Sequence, residues 1–238
     1  MLLSNARVGC SSAHFAPLIL KRRVADGSLC WKADFAHESS FVGSVTGWHR
    51  RFAQRSTDHR GTPQAPGLVA TLLTDEQLAA ATGASAPPPG GAASACFGVC
   101  YKVGKEDAPA VLDNLDFREK GGYTRGAPRG TRARGRARVQ QDPFAPTLRR
   151  ELLLAAVVDV QPRAGRGPPV RALLYTANPQ NPHFFLPGTD EAARIIATAV
   201  GPSGPNRDYL VNLGEWITAN QLEDPHIEEL CRLLPAVP

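Results

Sequence analysis

The sequence predicts an α+β fold: an antiparallel sheet or small barrel, with helices packed around it and gathered toward the C-terminus. Three observations carry this. Short apolar, strand-like runs recur through the first two thirds of the chain. Stretches with helical periodicity and start signals fill the C-terminal third. The 238 residues, 42% hydrophobic and 21% charged, are ordinary for a globular protein and long enough to bury a core. Strands first and helices mostly last is the order of an α+β domain.

The elements follow in sequence. Residues 43–54 mix Val, Thr, Trp and Phe with Arg and predict one half-buried strand. Residues 68–73 and 95–103 predict two more; in the latter Phe97, Val99, Tyr101 and Val103 alternate along one face. Between them, the Ala/Gly/Pro/Ser tract 84–94 has nothing to bury and predicts a loop. Residues 107–116 predict a short helix bearing Val111, Leu112 and Leu115, stopped before Gly121-Gly122. Apolar strands are expected at 152–160 and 170–176. Asp190 is expected to cap a helix running to Val200 and ended by Gly201-Pro202. Asn206 is expected to cap one carrying Leu210, Leu213 and Ile217. Asp224-Pro225 opens a last helix with Ile227, Leu230 and Leu234 inward. No internal repeat is visible. The expected organisation is a leader over residues 1–24 and one domain over 25–238, with low-complexity insertions near 84–94 and 126–148.

Charge and cysteines exclude more than they identify. Residues 126–150 hold seven arginines, from Arg129 to Arg150, against the single acid Asp142. That local +6, taken from the net +5, leaves −1 for the rest. The basicity therefore belongs to an insertion, and the tract lacks the interleaved aromatics of a nucleic-acid reader. Specific nucleic-acid binding is not expected. Cys10, Cys30, Cys96, Cys100 and Cys231 form an odd, scattered set without a CxxC pair, which predicts reduced thiols and no metal site. No run approaches the roughly 20 apolar residues of a membrane span. The first 24 residues are free of acids and hold Arg7, Lys21, Arg22 and Arg23, a composition shared with organelle transit peptides. A cytoplasmic protein with an unrelated leader is the expectation.

Four blocks then carry a resemblance. They are Gly27-Ser28-Leu29-Cys30-Trp31-Lys32-Ala33-Asp34-Phe35; Arg50-Arg51-Phe52 with Ser56-Thr57-Asp58-His59-Arg60-Gly61-Thr62-Pro63; Leu115-Asp116-Phe117-Arg118-Glu119-Lys120-Gly121-Gly122-Tyr123; and Ile196-Ala197-Thr198-Ala199-Val200-Gly201-Pro202-Ser203-Gly204-Pro205-Asn206-Arg207-Asp208-Tyr209-Leu210. In this order they resemble the ChaC family, the glutathione-specific γ-glutamylcyclotransferases. The resemblance implies the cyclotransferase fold, a small closed sheet with surrounding helices. It implies glutathione as substrate, 5-oxoproline and cysteinyl-glycine as products, and no metal or cofactor. Glu119 matches the family's catalytic glutamate, and Gly27-Ser28-Leu29 its substrate loop. Around that loop the substrate-binding candidates are Ala25, Asp26, Gly27, Ser28, Leu29, Cys30, Arg51, Ser56, Tyr123 and Tyr209.

The residue types suit the chemistry. In the cyclisation, the α-amine of the γ-glutamyl group attacks its own γ-carbonyl, and at neutral pH that amine is mostly protonated. A carboxylate within hydrogen-bond reach takes its proton and later returns one to the departing nitrogen, serving as base and then acid. Holding the substrate folded supplies much of the rate, because the attack is intramolecular. Asp58-His59 invites a dyad reading, but no motif places a nucleophile with it, so the block is expected to order the pocket wall.

One departure from the family stands out. The family has a tyrosine before Gly27, inside an apolar first strand, and this chain has Val24-Ala25-Asp26. Leu18-Ile19-Leu20 is a candidate replacement for that strand, with Lys21-Arg22-Arg23 falling where apolar residues are expected. An acid at residue 26 is expected to repel the substrate carboxylate. Two alternatives follow: an impaired family member that acts as a binding protein, and an Arg-rich protein that binds nucleic acid non-specifically.

Overall fold

The structure, a computed structural model, describes residues 22–83, 94–107, 110–111, 153–165, 167–177, 179 and 181–236. The tract 84–93, most of the predicted helix 107–116, and the Arg-rich insertion lie outside them. So do Leu18-Ile19-Leu20.

A five-stranded closed barrel forms the centre, built from β1 (Arg22–Ala25), β2 (Ser39–Thr46), β5 (Ala95–Lys102), β6 (Leu153–Pro162) and β7 (Val170–Ala177). The order is β1-β5-β2-β6-β7, antiparallel throughout except where β1 meets β7 in parallel and closes the barrel. The fold is thus α+β with a mixed barrel, as the sequence predicts. Inside it Val24, Val45, Cys96, Cys100, Val158, Val160, Ala172 and Leu174 pack as one cluster. Cys96 and Cys100 stand four residues apart on one strand, so both face inward as small apolar fillers, and they are free thiols. Arg22-Arg23-Val24-Ala25 itself is the strand, because β5 and β7 pair with it on both sides.

The predicted single strand over 43–54 is two strands in two sheets. Gly47 has φ +77, the left-handed region that glycine enters without a steric cost, and there the chain turns out of the barrel. β3 (Trp48–Ser56) then pairs with β4 (Gly67–Thr74) as a separate antiparallel sheet, with an irregularity between Phe52 and Gln54. Leu72 of β4 joins the barrel core, while Phe52 and Leu68 join the helical core.

α1 (Asp75–Thr82) was not expected from the sequence. A capping box starts it: the Thr74 hydroxyl accepts from the Gln77 N–H, and the Gln77 side chain accepts from the Thr74 N–H. The three C-terminal helices are α2 (Thr189–Thr198), α3 (Asn206–Ala219) and α4 (Pro225–Leu233). Ile196, Leu210, Leu213, Ile227 and Leu230 are fully buried between them. Each such side chain is worth about 1.5–3 kcal/mol of burial, and Leu213→Ala would cost roughly 2–5 kcal/mol.

Asp224 caps α4 as expected, accepting from the Ile227 N–H at 3.3 Å. The other two caps differ. α2 begins after Gly188, with Asp190 already in its first turn, and it ends at Thr198; Val200–Gly201 is a strand, β8, that pairs with β9 (Gly204–Pro205). Asn206 is the first residue of α3 and its side chain makes no cap. Its amide instead bonds the N–H and C=O of Leu68 at 2.6 and 2.7 Å, pinning α3 to β4. A buried backbone pair offers both a donor and an acceptor, and an amide side chain satisfies both at once.

Candidate active site

The chain leaves β1 through Asp26 and Gly27 into a 3-10 turn, Ser28–Cys30. Every carbonyl from residue 25 to 29 is occupied. Ala25 O accepts from Cys30 Sγ at 3.2 Å, and Asp26 O from Arg50 Nε at 2.9 Å. Gly27 O accepts from the Cys30 N–H, and Ser28 O from the N–H groups of Trp31 and Lys32. Leu29 O accepts from the Tyr101 hydroxyl at 2.6 Å. The first N–H groups of such a turn have no acceptor inside it. The loop therefore has a saturated acceptor side and a donor side over Gly27, Ser28 and Leu29. Residue 27 must also be small: a Cβ there would stand 2.5 Å from the Tyr209 hydroxyl oxygen.

Beneath the loop sits Arg50, a buried residue the sequence reading passed over in favour of Arg51. Its three arms spread to three elements. Nε donates to Asp26 O of the loop, Nη2 donates to Phe97 O of β5, and Nη1 pairs with Asp224 Oδ2 at the start of α4, 2.5 Å away. Burial opposes its charge more than any other single influence, and the Asp224 and Asp26 carboxyl groups pull the other way, so the guanidinium stays charged. A strand-phase argument could have found it, since Arg50 and Phe52 share one face of β3.

Asp26 answers to the same cation. Burial raises its carboxyl to about 6, against the pull of Arg50. One guanidinium thus serves two carboxylates, Asp26 and Asp224. The expected repulsion at residue 26 is therefore conditional: the trio is neutral when Asp26 is protonated and carries one negative charge when it is not. Burial likewise raises the Cys30 thiol to about 12, leaving it a neutral donor. His226, whose Nε2 accepts from the Phe52 N–H at 3.2 Å, is pushed down to about 4 by burial and then by Arg51, so it is neutral at pH 7.

The other sequence candidates divide. Tyr209 lies on α3 against the loop; its ring meets Trp31 and Phe52 edge-on at 5.4 and 5.7 Å, and its hydroxyl accepts from the Ala70 N–H at 3.4 Å. Burial, then Asp26, raises its pKa, so the hydroxyl keeps its proton. Ser56 is buried at the end of β3, where its hydroxyl accepts from the Arg60 N–H at 3.0 Å. Arg51 points its Nη1 at Arg50 O and is only half-buried. His59 meets Ser203 of the β8–β9 hairpin at 3.2 Å and Asp58 at 3.5 Å, so this block holds the hairpin. Glu119 and Tyr123 lie outside the described residues. Nearest to them in sequence, Val111 is buried with Val103 against Leu29 and Phe35.

Arg23 is a second buried arginine that the sequence reading did not single out. It is 4% exposed, its Nη2 reaches the Tyr175 hydroxyl only at 3.5 Å, and its guanidinium lies 5.1 Å from that ring's centroid. Nη1 has no hydrogen-bond partner among the described residues. A groove of about 450 Å³ beside Val45, Trp48 and Asp159 runs along β6 and includes no residue of the loop.

Comparison with known proteins meets this geometry from outside. The family model described as ChaC-like protein matches residues 24–236. A zebrafish protein named glutathione-specific γ-glutamylcyclotransferase 1 is 31% identical over 206 residues, covering 84% of this chain and 82% of its own. A Saccharomyces cerevisiae glutathione-specific γ-glutamylcyclotransferase is 33% identical over 200 residues, covering 79% and 81%. Among solved structures, a yeast γ-glutamyl cyclotransferase specific to glutathione superposes with a TM-score of 0.67 at 26% identity, over 90% of this chain and 97% of that one.

Proposed function

This chain belongs to the ChaC-like protein family, and on that premise we propose that it cleaves glutathione by cyclising the γ-glutamyl group, giving 5-oxoproline and cysteinyl-glycine. The loop at residues 25–29 carries the reading: all its carbonyls accept hydrogen bonds, and the first N–H groups of its turn have no acceptor inside the turn. Backbone N–H groups at Gly27, Ser28 and Leu29 suit the γ-glutamyl carboxylate and the oxyanion that forms at the γ-carbon. Arg50 holds that loop to β5 and α4 and acts as a positioning residue. Tyr209 walls it on the α3 side.

Glu119 is the proposed proton carrier, on the strength of the family motif around it. It takes the proton of the α-ammonium, the freed amine attacks the γ-carbonyl, and the same carboxyl then protonates the departing cysteinyl nitrogen. No water enters the products, and Glu119 ends the cycle as it began. The substrate is a small molecule, and the domain is one unit that takes in β1 from Arg22 onward, three residues before the expected boundary at 25. No helix among the described residues is long and apolar enough to cross a membrane. The free thiols at Cys30, Cys96, Cys100 and Cys231 support the cytoplasm as the proposed compartment.

Asp26 favours one second reading, a family member that binds glutathione without turning it over. Incubating purified protein with glutathione and following 5-oxoproline by mass spectrometry separates the two. Turnover lost in Glu119→Gln, with the fold intact by circular dichroism, is the expected result. A folded wild type that makes no 5-oxoproline rejects the enzyme, and glutathione binding by calorimetry would then establish the alternative.

A further inference from the structure

Alternation along β1 sends Val24 into the barrel core and Arg23 to the outer face, the face on which Ala25 packs with Cys30, Val99 and Tyr101. Across the β1–β5 ladder, Arg23 stands opposite Tyr101, and the Tyr101 hydroxyl donates to Leu29 of the loop. Residues paired this way have Cβ atoms roughly 5 Å apart, so the Arg23 side chain starts beside the wall that supports the loop. Its guanidinium is buried with Nη1 unpartnered among the described residues and only a long contact from Nη2. Among the described residues this buried cation has no counter-anion.

Resting on the function proposed above, we propose that Arg23 binds the glycyl carboxylate of glutathione and so reads the end of the substrate remote from the reaction. The lengths agree. β1 ends at Ala25, so a strand rise of about 3.3 Å per residue puts Arg23 at most roughly 13 Å from Gly27. With the γ-glutamyl group at residues 27–29, an extended tripeptide reaches back on the order of 10 Å. The arginine side chain covers the remainder. A guanidinium is matched to a carboxylate through two parallel hydrogen bonds, and here it would act away from bulk water. Tyr175 then fixes the plane of the guanidinium from one side.

The test compares glutathione with its glycinamide analogue, γ-glutamyl-cysteinyl-glycinamide, which lacks only that negative charge. The wild type is expected to prefer glutathione by at least about tenfold in kcat/KM, the scale of one charge-assisted hydrogen bond. In Arg23→Met the preference should vanish through a higher KM for glutathione, with kcat within about twofold. Arg23→Lys should restore part of it. A wild type that turns over both substrates equally overturns the proposal, as does an Arg23→Met loss of the same size on both. If the wild type makes no 5-oxoproline at all, the proposed function has failed rather than this assignment. Calorimetry of cysteinyl-glycine against cysteinyl-glycinamide then decides it: tighter binding of the acid, lost in Arg23→Met, supports Arg23, and equal binding overturns it.

Discussion

Arg50 and Arg23 lie on neighbouring parts of the same scaffold and are about equally buried, at 2% and 4% exposure, yet their surroundings are opposite. Arg50 has every arm engaged, by two backbone carbonyls and the Asp224 carboxylate. Among the described residues, Arg23 has a ring, one long contact and a nitrogen without a hydrogen-bond partner. Burial alone therefore says little about what a charge is for. A saturated cation ties elements together, and an unsaturated one is prepared for a ligand. The contrast ranks the experiments that follow.

Arg50→Met should have the largest effect. It removes the cation common to Asp26 and Asp224 and unties the loop from β5 and α4. Breaking a buried pair from one side typically costs roughly 3–5 kcal/mol, because the abandoned carboxylate remains. Urea unfolding followed by circular dichroism would measure this. A loss below about 1 kcal/mol would mean that Arg50 is not a structural tie, and the contrast would collapse.

Asp26 comes next, through pH. Its folded pKa, about 6, lies above the unfolded 3.8, so the folded state holds the proton more tightly. Stability from this group therefore falls as pH rises from about 4 to 6 and stays lower above that. Just over two pKa units correspond to at most about 3 kcal/mol, which Asp26→Asn should recover at pH 7. His226 runs the other way: its pKa drops from 6.5 to about 4 on folding, so it adds stability as pH rises through that window. The two slopes oppose each other between about pH 4 and 6. Unfolding midpoints taken across pH 4–7 should therefore be steeper in Asp26→Asn than in wild type. A variant with a flatter profile would reverse the assignment of Asp26. The same variant should lower KM for glutathione above pH 6, since the site then loses a negative charge.

These residues also mark how far the sequence could be read. Alternation exposed β5, although both of its faces are buried and Cys96 and Cys100, on the face opposite Val99 and Tyr101, fill the barrel; apolar runs exposed β6 and β7, and Asp224-Pro225 exposed the start of α4. The break at Gly47 was hidden, since the apolar pattern continues across a turn that only glycine's left-handed φ reveals. α1 carries a clear Thr74–Gln77 capping box but so little apolar content that periodicity misses it. Asn206 looks like a cap and is instead a tertiary clamp on Leu68. At the site, the loop glycine was legible as a family motif, whereas Arg50 and Arg23 were not. A charged strand such as Arg22–Ala25 becomes a strand only through its neighbours on both sides.

Arg23→Met should leave stability within about 1 kcal/mol of wild type, despite the burial. Removing a guanidinium that lacks its anion relieves desolvation, and an apolar side chain of similar length keeps the packing. The comparison with Arg50→Met is the informative quantity: a difference of several kcal/mol between two equally buried arginines. A large loss at Arg23 would show that it too is a structural tie, and would weaken its assignment to a ligand.

The smallest effect belongs to Tyr175. At 3.5 Å its hydroxyl is at the limit of a useful hydrogen bond to Arg23, while the ring face stays in place in Tyr175→Phe. KM for glutathione should then change by no more than about twofold, or about 0.4 kcal/mol. Tyr175→Leu removes the ring as well and forfeits a desolvated cation–π contact, worth on the order of 1–2 kcal/mol. If the ring orients the guanidinium for a carboxylate, Tyr175→Leu should raise KM for glutathione and leave KM for the glycinamide analogue unchanged. A rise on both would make Tyr175 part of the general pocket wall, and the ordering of the two arginines would then rest on Nη1 alone.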